Sequence, residues 1–300
     1  MASTKTIFQL ATKPTFLENI AVRPGGTILT TRIDAPELWE IDPVTGHGKV
    51  LLSIPGVTSI SGITELSPDV FAVGVGEYSL QTGAVPGSWG VWTIDLTGGE
   101  PKASLAAKAP EMGLLNGVAT WDEETIVAAD SPTGKIFKIN LKDGTSSVCL
   151  QDESMKPAVD AFMPIGVNGV KVLQKKYIYF TSSTRQIFAR VPVDAEITAT
   201  GPVEVLASEI FGDDFALTED GTAYVTAHPT NMVVRVSPGG EVVVLAGSPT
   251  SFDVAGATAC AFGRGEKDKN VLYVSTSGAS AVPIAGEFEP AKVVAVTLKG

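Results

Sequence analysis

The sequence contains only two histidines, two cysteines and 22 basic residues, and no apolar run approaches the roughly 20 residues a bilayer-spanning helix requires. Each scarcity excludes something. Cys149 and Cys260 are too few for a disulfide framework, and no Asn-x-Ser/Thr glycosylation acceptor occurs. Against 33 acidic residues the basic ones leave a net charge of -11 and a pI near 4.7. Such a surface repels phosphate backbones and anionic membranes, so neither nucleic acid nor a membrane is expected as a partner. Two histidines, His47 and His228, cannot build a multi-histidine metal centre. No Gly-x-Ser-x-Gly elbow or Walker loop is present, and Gly74-Val-Gly76 lacks the third glycine of a dinucleotide fingerprint; no nucleotide cofactor is expected. The first residues have no apolar core of signal-peptide length, so a cytoplasmic address is expected.

What is present is a hydrophobic fraction of 44%, enough for a large core, together with 31 Gly and 19 Pro, which suit many tight turns. Short Val/Ile/Tyr-rich runs alternate with turn signals, and no long helical period appears. Four-stranded meanders recur. The first is Leu17–Val22, Thr27–Arg32, Glu37–Ile41 and Lys49–Ile54. The second is Ser61–Leu66, Val70–Gly74, Gly90–Asp95 and Lys102–Ala106, with a long insertion at Val75–Ser88. The third runs Asn116–Thr120, Thr125–Asp130, Lys135–Asn140 and Ser146–Gln151; the fourth Gly166–Val172, Tyr177–Ser182, Gln186–Pro192 and Val203–Ala207. The fifth is Asp214–Leu217, Thr222–Ala227, Met232–Ser237 and Glu241–Ala246. A sixth offers only Thr258–Phe262, Val271–Ser275 and Lys292–Leu298.

The anchors Glu18, Ser61, Asn116, Asn168, Asp214 and Thr258 are separated by 43, 55, 52, 46 and 44 residues, the spacing of propeller blades. The expected fold is all-β, a six-bladed β-propeller with four-stranded antiparallel blades, occupying residues 1–300 as one domain. The orphan segment Thr4–Leu10 is then the missing outer strand of the last blade, and it closes the ring.

In such a ring the innermost strands line the central channel, and their starts converge on one face. Glu18, Asn116, Asn168 and Asp214 are expected there together, with Asp213, Ser61 and Thr258 beside them. Carboxylates and amide carbonyls are hard donors of the kind Ca²⁺ or Mg²⁺ takes. The intervening loops should bring Arg32, Tyr78, Trp89, Asp130, Phe162, Met163, Ser182, Arg185 and Phe211 to the same face, with His228 in reach as a donor or acid/base group. Aromatic and sulfur side chains around a few polar groups describe a pocket for a small apolar, partly oxygenated molecule.

The blade starts Leu17-Glu18-Asn-Ile-Ala-Val, Leu115-Asn116-Gly-Val-Ala, Val167-Asn168-Gly-Val and Asp213-Asp214-Phe-Ala-Leu-Thr-Glu-Asp-Gly-Thr resemble the metal-binding blade starts of the gluconolactonase and senescence-marker-protein family. That family is itself similar to strictosidine synthases. The resemblance implies an ion held by Glu18, Asn168 and Asp214, with Asp214 doubling as general base in lactone hydrolysis; the family's Asp-Gly is read as Asp214-Phe215. Glu37-Leu-Trp-Glu-Ile-Asp-Pro, Pro68-Asp-Val-Phe-Ala-Val, Val85-Pro-Gly-Ser-Trp-Gly-Val-Trp and Asp130-Ser-Pro-Thr-Gly are similar to a fungal, secondary-metabolite branch. That branch includes hetero-Diels-Alderases, which join a tropolone quinone methide to a sesquiterpene diene. Two enzymes are therefore in play: a cyclase working by orientation and hydrogen bonding, with Asp214, Asn116 and His228 as its polar groups, and a metal-dependent lactonase. A non-catalytic propeller scaffold is the third possibility.

Overall fold

Residues 2–298 are described by a computed structural model. Among them, strands form six four-stranded antiparallel sheets, with one additional two-stranded hairpin. Their innermost strands are Leu17–Val22, Ser59–Ser67, Leu115–Asp122, Val167–Leu173, Phe215–Leu217 and Ala257–Phe262. Each abuts the innermost strand of the sheet before it and of the sheet after it, and the last abuts the first. The chain is a six-bladed β-propeller. No α-helix is present among the described residues; helical structure is confined to two 3-10 turns, Glu153–Met155 and His228–Thr230. No helix among these residues is long and apolar enough to cross a membrane.

The core follows from the strand period. Alternate side chains of each blade project toward one neighbouring blade or the other, so apolar residues collect in six slabs, one per blade-to-blade interface. Ile136, Val167 and Phe180 join the third and fourth blades, and Tyr179, Phe188 and Phe215 join the fourth and fifth. At the axis the packing is backbone on backbone. A β-carbon added to Gly62 would lie 2.4 Å from the Asn116 carbonyl oxygen, and one at Gly117 would lie 2.4 Å from that of Asn168. Glycine at these positions lets consecutive inner strands approach.

The ring is closed as the sequence suggests. Ser3–Gln9 pairs antiparallel with Lys292–Thr297 as the outer strand of the last blade, whose sheet order places the first strand of the chain beside the final one. The same strand also touches the first blade. The Phe8 ring lies 5.4 Å from that of Trp39, and a β-carbon at Gly48 would sit 2.5 Å from the Phe8 ring edge. One strand thus stitches two blades.

The long insertion of the second blade carries the small hairpin, Tyr78–Ser79 with Gly83–Ala84, beyond a strand that extends to Gly76. The fifth inner strand begins at Phe215, one residue later than expected, and this shift matters at the site.

Deleting residues 2–9 should leave Lys292–Thr297 as a bare edge. We expect a fall in Tm of more than about 10 °C by calorimetry, with self-association visible by light scattering. Gly48→Ala, which crowds Phe8, should lower Tm by a few degrees without association.

Candidate functional site

Five of the inner-strand ladders, including those of the first, third and fourth blades, are broken near their start by a bulge: between Leu17 and Ile20, Leu115 and Val118, and Val167 and Val170. In the first four blades the bulge holds two residues whose side chains leave the sheet in different directions. In the fifth blade the pair is fixed by hydrogen bonds. The amides of Asn19, Gly169 and Asp214 all bond the hydroxyl of a threonine on the neighbouring strand, Thr31, Thr181 and Thr226 respectively. Asp214 is therefore equivalent to Asn19 and Gly169, and Asp213 is the equivalent of Glu18 and Asn168.

The consequence is a correction of one residue. The mouth of the channel opens into a cavity whose polar wall carries Glu18, Asn116, Asn168, Asp213, Ser183 and His228. Asp214 faces down the channel instead. Its carboxylate accepts from Lys171 Nζ at 2.5 Å, from Asn19 Nδ2 at 2.8 Å and from its neighbour's backbone, Phe215 N, at 2.7 Å. The blade start is thus Asp213-Asp214 in the place of the family's Asp-Gly.

Asn168 ties the wall together. Its Nδ2 donates to Asp213 Oδ1 at 2.7 Å and to Ser183 Oγ at 3.0 Å, leaving the amide oxygen uncommitted. The Glu18 carboxyl has no hydrogen-bond partner among the described residues. Burial, reinforced by the charge of Asp214, pushes its pKa up from the usual carboxylate range to about 8. Asp213 is raised well above that range by burial and by the charges of Glu18 and Asp214, opposed by the Asn168 hydrogen bond. Burial, with Glu18, Asp213 and Asp34 near, lifts the Tyr78 phenol to about 12. His228 is lowered to about 4 by burial alone; its Nε2 lies 2.8 Å from Ser277 Oγ, and Phe16 stacks on its ring at 5.5 Å.

The remaining wall is apolar: Phe16, Ile33, Leu114, Met163, Ile165 and Phe211. Phe162, 71% exposed, stands beyond it at the rim with its ring 6.1 Å from that of Phe211.

Of the residues expected at this face, Glu18, Asn116, Asn168, Asp213, Tyr78, Met163, Phe211 and His228 come together in the cavity wall. The others do not. Arg32 is held in ion pairs by Asp34 and Glu37, and Arg185 Nε donates to the Lys156 carbonyl. Asp130 is fully buried; it accepts from the amides of Gly113 and Leu114 and from the Thr133 hydroxyl, and so shapes the loop that delivers Asn116. Ser61 and Thr258 donate to the backbone of the next blade, at Leu115 and Leu17. Ser182 is buried with its hydroxyl unpartnered, and Trp89 is buried against Gly76 within the core between the second and third blades. Sequence reading missed Phe16, Ile33, Leu114, Ile165 and Ser183 as wall residues. The apolar ones carry no signal apart from lying beside an anchor or in a loop.

Among the described residues no three His, Cys, Asp or Glu side chains gather as a metal cluster. A hard cation here would have to draw on amide oxygens as well as on Glu18 and Asp213.

No family model matches the chain. It is similar to a candidate hetero-Diels-Alderase of Phoma sp, 29% identical over 87% of this chain and 83% of the relative. A second candidate, hetero-Diels-Alderase asR5 of Sarocladium schorii, is 28% identical over 87% of this chain and 75% of its own length. The crystal structure of a candidate gluconolactonase superposes with a TM-score of 0.66 and 13% identity, covering all of this chain and 94% of that one; that likeness speaks for the fold. The propeller fold expected from the blade starts is borne out, and the likeness to hetero-Diels-Alderases read from Glu37–Pro43 and the runs beside it is matched by the two relatives.

Lys171→Met should leave the Asp214 carboxylate buried without its cation. Because Lys171 is itself 26% exposed, we expect a loss at the low end for such pairs, about 3 kcal/mol, seen as a Tm lower by roughly 6–12 °C.

Proposed function

We propose that the chain is a cyclase of secondary metabolism, of hetero-Diels-Alderase type, that joins a quinone methide to an apolar terpene diene in the cavity at the channel mouth. The observation that carries the reading is a wall divided into an apolar side and a side of hydrogen-bonding groups held uncharged. In the cycloaddition the quinone methide oxygen gathers negative charge as its ring becomes aromatic. One carbon–carbon and one carbon–oxygen bond form, and no proton has to move. Ionised carboxylates would repel that oxygen. A protonated Glu18, a neutral Tyr78 phenol and a neutral His228 can instead donate to it, in a site already shaped for the charge. The hydrocarbon partner would lie against Leu114, Met163, Ile165 and Phe211, and holding both reactants together lowers the entropic part of the barrier.

The likeness to two candidate hetero-Diels-Alderases supports this chemistry. The test is a coupled assay with a quinone methide generated in situ and a medium-ring sesquiterpene, read as product per unit time over the spontaneous rate. No acceleration would end the proposal.

One observation favours a second reading, a metal-dependent lactonase. Glu18, Asn116, Asn168 and Asp213 present two carboxylates and two amide oxygens, and Glu18 has no hydrogen-bond partner among the described residues, which is the donor chemistry of Ca²⁺ or Mg²⁺. When bound, such an ion would polarise a lactone carbonyl. In this reading Asp213 takes the place that Asp214 was expected to fill, since Asp214 is committed to Lys171 and Asn19. Loss of lactone hydrolysis on EDTA treatment would select it; cycloaddition unchanged by EDTA would select the cyclase.

In the cyclase the active form of Glu18 is the acid. Activity should be present below pH 8 and fall as pH rises through about 8. Glu18→Gln, which keeps a neutral donor, should flatten that limb and retain most of the rate. Glu18→Ala should lower kcat about 10–100-fold. The pH–rate profiles of the three proteins check this.

A further inference from the structure

His228 enters the cyclase reading as a neutral group on the cavity wall, but a neutral imidazole can either donate or accept, and the two tautomers do opposite chemistry. The surroundings of its far nitrogen decide between them. His228 starts the 3-10 turn His228–Thr230, and its ring is clamped by Phe16, 5.5 Å away and tilted by 28°. Nε2 points away from solvent to Ser277 Oγ, 2.8 Å distant. Ser277 is completely buried, and among the described residues that ring nitrogen is the only hydrogen-bond partner of its hydroxyl. The hydroxyl is seated against Gly256, where an added β-carbon would lie 2.1 Å from Oγ.

The inventory of protons then has one economical solution. If Nε2 carried the proton and donated to Oγ, the Ser277 O–H would be a buried donor with nothing to receive it. If Ser277 donates to the Nε2 lone pair, its buried proton is used and only an oxygen lone pair is left over, a smaller loss, while Nδ1–H is left for the cavity that His228 lines. We propose that Ser277 is a positioning residue that donates to Nε2 of His228 and thereby fixes the Nδ1–H tautomer, so that His228 presents an N–H, not a lone pair, to the oxygen of a bound substrate. The role as donor rests on the cyclase reading; the tautomer does not. Burial keeps the ring neutral well below neutral pH, so the assigned tautomer is the working state.

The chain has only two histidines, and His47 is exposed, so a long-range ¹H–¹⁵N spectrum of the full protein resolves His228 without ambiguity. At pH 7 we expect its Nδ1 to be pyrrole-like and its Nε2 pyridine-like. The reverse pattern, or an averaged pair, would overturn the proposal. Ser277→Ala should convert the ring to a mixture of tautomers, and Ser277→Thr should restore the wild-type pattern; an unchanged His47 signal and circular dichroism would report intact folding. A Ser277→Ala ring identical to wild type would also overturn it.

Addition of tropolone, a planar ring with adjacent oxygens, should shift Nδ1 of His228 along with the Tyr78 ring resonances. Tropolone that moves Tyr78 and leaves Nδ1 unmoved removes the donor role. Tropolone that moves neither counts against the cyclase reading and leaves the tautomer to the first spectrum. In the coupled assay Ser277→Ala should lower kcat about tenfold at little change in KM, with Ser277→Thr recovering it.

Discussion

Three carboxyl groups, Glu18, Asp213 and Asp214, crowd the axis of the ring, and among the described residues one ammonium, Lys171, pairs with them, at Asp214. Most of what distinguishes the site follows from that imbalance. Lys171 and Asn19 engage Asp214 and nothing else of the trio, so Glu18 and Asp213 meet burial without a counter-charge. A buried acid in that position adjusts by retaining its proton or by recruiting a cation. The two functional readings are these two responses of one electrostatic arrangement. They differ in what relieves the same strain.

The fold was legible because its signal is repeated. A turn-rich sequence with anchors every 43 to 55 residues leaves few architectures open, and the need to cover two free edges pointed to Thr4–Leu10 as the final blade's outer strand, which the structure places at Ser3–Gln9. The cavity's polar wall was legible to within one residue. Asp213 and Asp214 are chemically alike and adjacent, and only the bulge in the inner strands says which of them faces the mouth. The sequence does contain that signal. In Ser61-Gly62, Asn116-Gly117 and Asn168-Gly169 the second residue is glycine because the next blade's backbone leaves no room there. Aligning the repeats on that crowded position places Asp213, not Asp214, beside Asn168.

The residues that sequence reading brought wrongly to the cavity share a cause. Ser61, Asp130, Ser182 and Thr258 are polar and sit near the ends of strands, which is also where the backbone of a propeller needs partners. Asp130 satisfies two amides and a hydroxyl, while Ser61 and Thr258 bridge to carbonyls of adjacent blades. Polarity at a strand end marks either a ligand site or a backbone debt, and only coordinates separate them. Conversely, much of the apolar wall was invisible: Met163 and Phe211 were expected there, but Leu114 and Ile165 read as any buried aliphatic residue does.

The pairing of Ser3–Gln9 with Lys292–Thr297 has a temporal consequence. On the ribosome the first of these strands emerges long before its partner exists, and it must wait unpaired while five blades assemble. Its first half, Ser3-Thr4-Lys5-Thr6, is accordingly polar and only Ile7 and Phe8 are apolar, a composition that discourages a solitary strand from pairing with others. The circle is sealed by a segment made before any of its blades, and until Lys292–Thr297 is made the nascent ring remains an open arc.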